Sequence, residues 1–171
     1  MLTPVKPARS WKHYGASLTF TPFEEIMFKH LLIPTDGSPL SERAVLKGIE
    51  LAAEQGARVT GVHVSPQFHV LTYRPDSLEE TRDTYAKDSE VQAKRYLDFI
   101  SRTAAESKVP CETLRVISDD PFQAIIDAAR DRGCDLIVMA SHGRRGIKGL
   151  LLGSETHRVL THSGIPVLVW R

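Results

Sequence analysis

The chain has 171 residues, 42% hydrophobic and 25% charged, with 22 basic against 21 acidic side chains. That is enough chain for one domain with a real core, and a net charge of +1 argues against bulk nucleic-acid binding, which calls for a basic excess or stripe. No apolar run approaches the roughly 18 residues of a membrane span, residues 1–25 lack the h-region of a secretory signal, and two cysteines without metal-like spacing, Cys111 and Cys134, point to a reduced, cytoplasmic protein with small buried thiols.

Residues 1–25 carry Pro4, Pro7 and Pro22 and show no periodicity, so they read as an extension that is disordered or lies on the surface. Met27 stands directly before the first regular element and is a candidate native start. Residues 28–34 (FKHLLIP) form the first predicted strand. Ser38 and Pro39 then signal a helix start, a hydroxyl N-cap followed by proline at the first position. That helix carries Ala44, Leu46, Ile49, Leu51, Ala52 and Ala53 as its apolar face and stops at Gly56. Residues 57–64 (ARVTGVHV) are a β-branched second strand. A loop over 66–76 leads to a long charged helix over 77–107, whose expected buried positions are Leu78, Tyr85, Val91, Tyr96, Leu97 and Ile100. Residues 111–117 are the third strand, 121–132 a helix opened by Pro121 and closed by Gly133, 135–139 (DLIVM) the fourth strand, and 166–170 (PVLVW) the fifth. Strands alternating with helices predict an α/β fold, a parallel sheet covered on both faces, with ligands held beyond the carboxyl ends of the strands.

The segment from Met139 to Ser154, MASHGRRGIKGLLLGS, concentrates the chemistry. Glycines at 143, 146, 149 and 153 alternate with Arg144, Arg145 and Lys148, between a buried strand and a helix over 155–162. Glycines permit close backbone approach, and free N–H groups at a helix start attract anions. Ser154 is placed as the N-cap of that helix. The competing reading is an ordinary glycine turn with solvated cations. The histidines give no compact ligand set, so a metal site built of protein ligands is not expected. Nothing matches a P-loop or a G-x-S-x-G elbow, which weighs against efficient catalysis.

Three ordered blocks, LLIPTDGSPLSERAV, VTGVHV and DLIVMASHGRRGIKGLLLGSETHRVLTHSGIPVLV, closely resemble the universal stress protein family. The resemblance spans residues 28–171 and sets a domain of 26–171. It implies an open five-stranded parallel sheet of order 3-2-1-4-5 with helices on both faces, commonly dimeric. The family's nucleotide-binding branch carries Gly, two residues, Gly, nine residues, then Gly-Ser or Gly-Thr. Gly143, Gly153 and Ser154 fit it, but Ala140 stands where the first glycine belongs. The resemblance implies ATP as ligand, with ADP and AMP as alternatives and Mg²⁺ carried in by the phosphates. Pro34, Thr35 and Asp36 would line the adenosine side, and the Val64 backbone would read the adenine edge. Met139 and Ala140 would lie under the nucleotide. Gly143, Gly153, Ser154 and Glu155 would meet ribose and phosphates, with Arg144 as a clamp and His142 part of the Ser-His-Gly turn. Glu155 would act through its N–H or a bridging metal. An apolar edge strand at 165–170 would pair with a second copy, unless the N-terminal extension covers it. Ala140 keeps open a nucleotide-free interaction module as the alternative function, and slow ATP hydrolysis is the remaining one.

Overall fold

A computed structural model of the chain describes residues 27–69, 78–143 and 152–171. The expected extension over 1–25, most of the loop over 66–76, and Arg144, Arg145 and Lys148 lie outside the described residues. Five strands, β1 (His30–Pro34), β2 (Arg58–Ser65), β3 (Cys111–Ile117), β4 (Leu136–Ala140) and β5 (Val167–Trp170), alternate with helices α1 (Pro39–Gln55), α2 (Leu78–Glu106), α3 (Pro121–Asp131) and α4 (Ser154–His162). All pairings are parallel and the strand order is β3-β2-β1-β4-β5. The order predicted from the resemblance is the order found. No described helix is long and apolar enough to cross a membrane.

Central strands β1 and β4 are buried along their whole length, as runs of HLLIP and LIVMA require when both sheet faces are covered. On one face, Leu31, Ile33, Val59 and Val138 pack against Val45, Ile49 and Ala52 of α1 and Leu97, Ile100 and Ala104 of α2. On the other, Leu32, Val62, Ile137 and Met139 meet Phe122, Ile125, Ile126 and Ala129 of α3 and Val159 of α4. Removing that much apolar surface from water is the main favourable term in folding.

The α1 boundaries follow from its ends. Ser38 adopts extended angles and its Oγ accepts from the Ser41 N–H, Pro39 occupies the first turn, and Gly56 closes the helix in the left-handed region. The buried stripe runs Ser41, Ala44, Val45, Gly48, Ile49 and Ala52, a three-and-four spacing. Leu46 and Ala53, expected on that face, lie outside the stripe and are exposed. In α2 the stripe is Ala93, Leu97, Ile100 and Ala104. Val91 is 69% exposed, since two residues before Ala93 means the opposite side of the helix. Tyr85 is half-buried, and the Leu78 side chain lies outside the described residues. Cys111 and Cys134 are both free. Burial raises both thiols, Cys134 to about 11, so they sit as protonated apolar groups.

A polar chain crosses the amino-terminal end of the sheet. Thr60 Oγ1 donates its hydrogen to Glu112 Oε1 at 2.9 Å, and Glu112 Oε2 accepts from Arg132 at 2.9 Å. The 2.7 Å contact between His30 Nε2 and Thr60 Oγ1 therefore takes its hydrogen from the imidazole. That leaves His30 Nδ1 as a buried lone pair without a partner. Burial, reinforced by Arg58 and opposed by Glu112, the Arg132 backbone carbonyl and Asp135, holds the His30 pKa below its ordinary 6.5. With the folded value below the unfolded one, this site's contribution is intact above 6.5 and is lost as pH falls from there through the folded pKa. His30→Gln keeps a donor for Thr60 without a titrating ring. Urea unfolding from about pH 7 to about pH 5 is expected to show a shallower loss of stability in the variant than in the wild type; equal slopes would remove His30 as the cause.

Candidate functional site

In an open parallel sheet the loops on either side of an order reversal leave in opposite directions and open a crevice. Here the reversal lies between β1, which continues into α1, and β4, which continues through the glycine-rich loop into α4. The pairing of Leu32 with Ile137 puts Pro34 and Met139, two residues further along each strand, at the same level. The residues after both strands therefore converge. The Asp36 carboxylate lies so close to Gly143 that a Cβ there would overlap Asp36 Oδ2. Its other oxygen, Oδ1, accepts from the Ser38 N–H at 3.0 Å, which fixes the side chain against the start of α1.

Thr35 is engaged at every polar atom. Its N–H donates to Val62 O at 2.9 Å, its carbonyl accepts from His63 Nδ1 at 2.8 Å, and its Oγ1 accepts from the Gly37 N–H at 3.2 Å. Ser41 Oγ donates to Ser38 O at 2.9 Å, so the 3.2 Å contact between the Thr35 and Ser41 hydroxyls takes its hydrogen from Thr35. Thr35 thus shapes the β1 loop. Next to it, Gly37 sits at φ +73°, with the Tyr96 ring where a Cβ would project, and Tyr96 meets the His63 ring edge-on at 5.2 Å. Val64 is half-buried beside Val116 in β3, one strand away from β1.

On the β4 side, Met139 and Ala140 are buried, and Ala140 is the last strand residue, paired with Trp170. Lys108 is the one described non-glycine residue with positive φ. Ala140 therefore has no backbone need for the glycine it replaces. Ser141 is buried, donates its N–H to Trp170 O at 2.7 Å, and accepts the Gly153 N–H on its own carbonyl at 2.7 Å. His142 Nδ1 lies 3.2 Å from Ser141 Oγ. A Cβ on Gly153 would come within 3.2 Å of both Cα and Cβ of His142, so any side chain at this crossing requires His142 to give way by a few tenths of an ångström. Arg144 lies outside the described residues.

The start of α4 differs from expectation at two residues. Gly153, at φ −72° and ψ 157°, is the N-cap, and Ser154 is the first helical residue with an exposed side chain. The cap shifts because the Gly153 carbonyl already accepts the first helical bond, from His157 N–H at 2.9 Å. No side chain caps this turn from the N-cap position, which leaves a helix start suited to an anion. The Glu155 side chain is committed elsewhere: Oε2 accepts the Phe122 N–H at 2.9 Å, and Oε1 lies 3.6 Å from Arg158. Of the two routes by which Glu155 would reach a nucleotide, the side-chain route is already in use, and the backbone N–H is the other. The sequence holds no local sign of this cross-helix contact.

Among the described residues no group of three His, Cys, Asp or Glu side chains stands close enough to hold a metal ion. His69 Nε2 instead pairs with Asp119 Oδ2 at 2.8 Å, and this hydrogen bond, with one from the Gln67 N–H, holds the Asp119 carboxyl below its usual range.

Thr35→Val preserves shape but leaves the Gly37 N–H without its acceptor and the Ser41 oxygen without its donor, while Ser41 still donates to Ser38 O. It is expected to cost about 1–3 kcal/mol, read as a lower denaturation midpoint in urea; an unchanged midpoint would mean the loop does not depend on the hydroxyl.

Residues 27–171 match the model of the universal stress protein family. Universal stress protein YxiE of Bacillus subtilis is 33% identical over 153 residues, covering 85% of this chain and all of YxiE. Among solved structures, MJ0577 of Methanocaldococcus jannaschii superposes with a TM-score of 0.71 at 29% identity, covering 84% of this chain and 95% of the other. A universal stress protein in complex with cAMP superposes with a TM-score of 0.57 at 25% identity, covering 84% of this chain and 97% of the other.

Proposed function

The chain belongs to the universal stress protein family, and we propose on that premise that it binds a phosphate-bearing adenine nucleotide, ATP or a relative such as AMP, and acts as a stress-response regulator. The observation that carries this reading is the approach of the Asp36 carboxylate to Gly143 at the strand-order reversal. It brings a hydrogen-bond acceptor for ribose hydroxyls beside the start of a glycine-rich loop. The cAMP complex of a relative supports the adenine class. The Val64 backbone would take the adenine edge, Met139 and Ala140 would floor the site, and the N–H groups of Ser154 and Glu155 would face the phosphates. Mg²⁺ would arrive with ATP, held by phosphates and water. Binding and partner exchange carry the role, and turnover is slow or nil.

Calorimetric titration of AMP, and of ATP with Mg²⁺, is expected to give micromolar binding, about −8 kcal/mol. No heat up to millimolar nucleotide would remove this reading. Gly153→Val crowds His142 at the loop crossing and is expected to weaken AMP binding at least about tenfold, roughly 1.4 kcal/mol, with the helical circular dichroism retained. Unchanged affinity would assign the loop a purely structural role.

Two copies would pair through the outer strand β5. Leu168 is 42% exposed there, and an open apolar edge is a liability that a two-fold partner removes. Light scattering is expected to give a dimer mass, shifted to monomer by Leu168→Glu; a monomeric wild type would refute the pairing.

A further inference from the structure

The nucleotide reading requires the first turn of α4 to be held in one orientation, and two sets of contacts fix it. One set ties it to β4: the Gly153 N–H to Ser141 O at 2.7 Å, and the Thr156 hydroxyl to Ala140 O at 2.9 Å. The other ties it to α3. The N-cap of α3, Asp120, makes no capping hydrogen bond with its own side chain. Glu155 supplies the missing acceptor from α4, taking the Phe122 N–H at 2.9 Å. Arg158, one turn on from Glu155, lays its guanidinium 3.6 Å above the Phe122 ring. It also reaches Asp120 Oδ1 at 3.1 Å and Glu155 Oε1 at 3.6 Å. Phe122 is itself buried in the core beside Val159 of α4. The exchange is reciprocal: α4 caps α3, and α3 offers the ring and carboxylate that anchor α4.

This arrangement answers a chemical difficulty. A carboxylate directly after Ser154 would oppose a phosphate at the same turn. Here its charge is turned to the N-terminus of α3 and faced by Arg158. We infer that the side chains of Glu155 and Arg158 are positioning groups for the nucleotide phosphate: they lock the first turn of α4 onto α3, and neither side chain touches the ligand. The inference rests on the reading of that turn as the phosphate site.

The test measures adenosine and AMP affinity side by side, by calorimetry, on the full chain. The ratio of the two isolates the phosphate. Wild type is expected to bind AMP at least tenfold more tightly than adenosine. Glu155→Ala is expected to shrink that ratio several-fold with adenosine affinity unchanged within twofold. Glu155→Gln, whose amide oxygen still accepts from the Phe122 N–H, is expected to restore most of it. The sign is diagnostic. If Glu155 were only a nearby negative charge, removing it would strengthen AMP binding. Arg158→Met, which keeps apolar contact with Phe122 and drops the ion pairs, provides a second variant and is expected to lower the same ratio. A wild type that binds AMP no better than adenosine overturns the phosphate reading, and the positioning role with it. A wild type that shows the preference, with a Glu155→Ala variant that keeps or increases it, overturns the positioning role alone. Equal losses for both ligands also overturn it, because they mean general destabilisation.

Discussion

Everything placed at the site depends on one constraint, the reversal of strand order between β1 and β4. Parallel strands need crossovers, and right-handed crossovers send successive helices to a face set by the direction in which the sheet grows. From β1 the chain first builds outward through β2 and β3 and covers one face with α1 and α2, then returns to β4 and β5 and covers the other with α3 and α4. The β1 and β4 loops leave toward opposite faces and open a gap between their roots. Asp36 and Gly143 meet in that gap.

Around the gap, hydrogen bonds are spent on rigidity. Thr35 uses its amide, carbonyl and hydroxyl internally, and His63, Gly37, Ser38 and Ser41 share the same network. A buried polar network fixes one geometry when every member is satisfied. On the β4 side the bonds from Gly153 to Ser141 and from Thr156 to Ala140 do the same. The site is thus framed by two stiff margins, each built from side-chain and backbone groups bonded to one another.

That explains which parts were legible in the sequence. Strand existence and order were readable because HLLIP and LIVMA are continuous apolar runs and because the three motif blocks fix the topology by resemblance. The ends of α1 were readable from Ser38, Pro39 and Gly56, whose effects are local. Leu46, Ala53 and Val91 fall off the buried faces because apolar content alone does not fix the helical phase, and the stripes use small residues, Gly48, Ala93 and Ala104, that carry little apolar signal. Ser154 carries the local signal of a cap, because hydroxyls favour that position, yet Gly153 occupies it. The Gly153 carbonyl takes the first helical bond, and the Gly153 N–H is held by Ser141 O, a tertiary contact that local patterning does not show. The role of Glu155 across to α3 lies equally beyond local patterning.

Gly37 and Tyr96 show how such tertiary facts limit evolutionary drift. The glycine is held by two independent demands, a left-handed backbone and an aromatic ring resting where a side chain would grow. Shrinking residue 96 relieves the second demand and leaves the first. Changing residue 37 violates both at once and disturbs the ring that faces His63. The two positions are therefore unequal partners: the helix residue is free to vary ahead of the loop residue, and the loop residue is locked whatever the helix does.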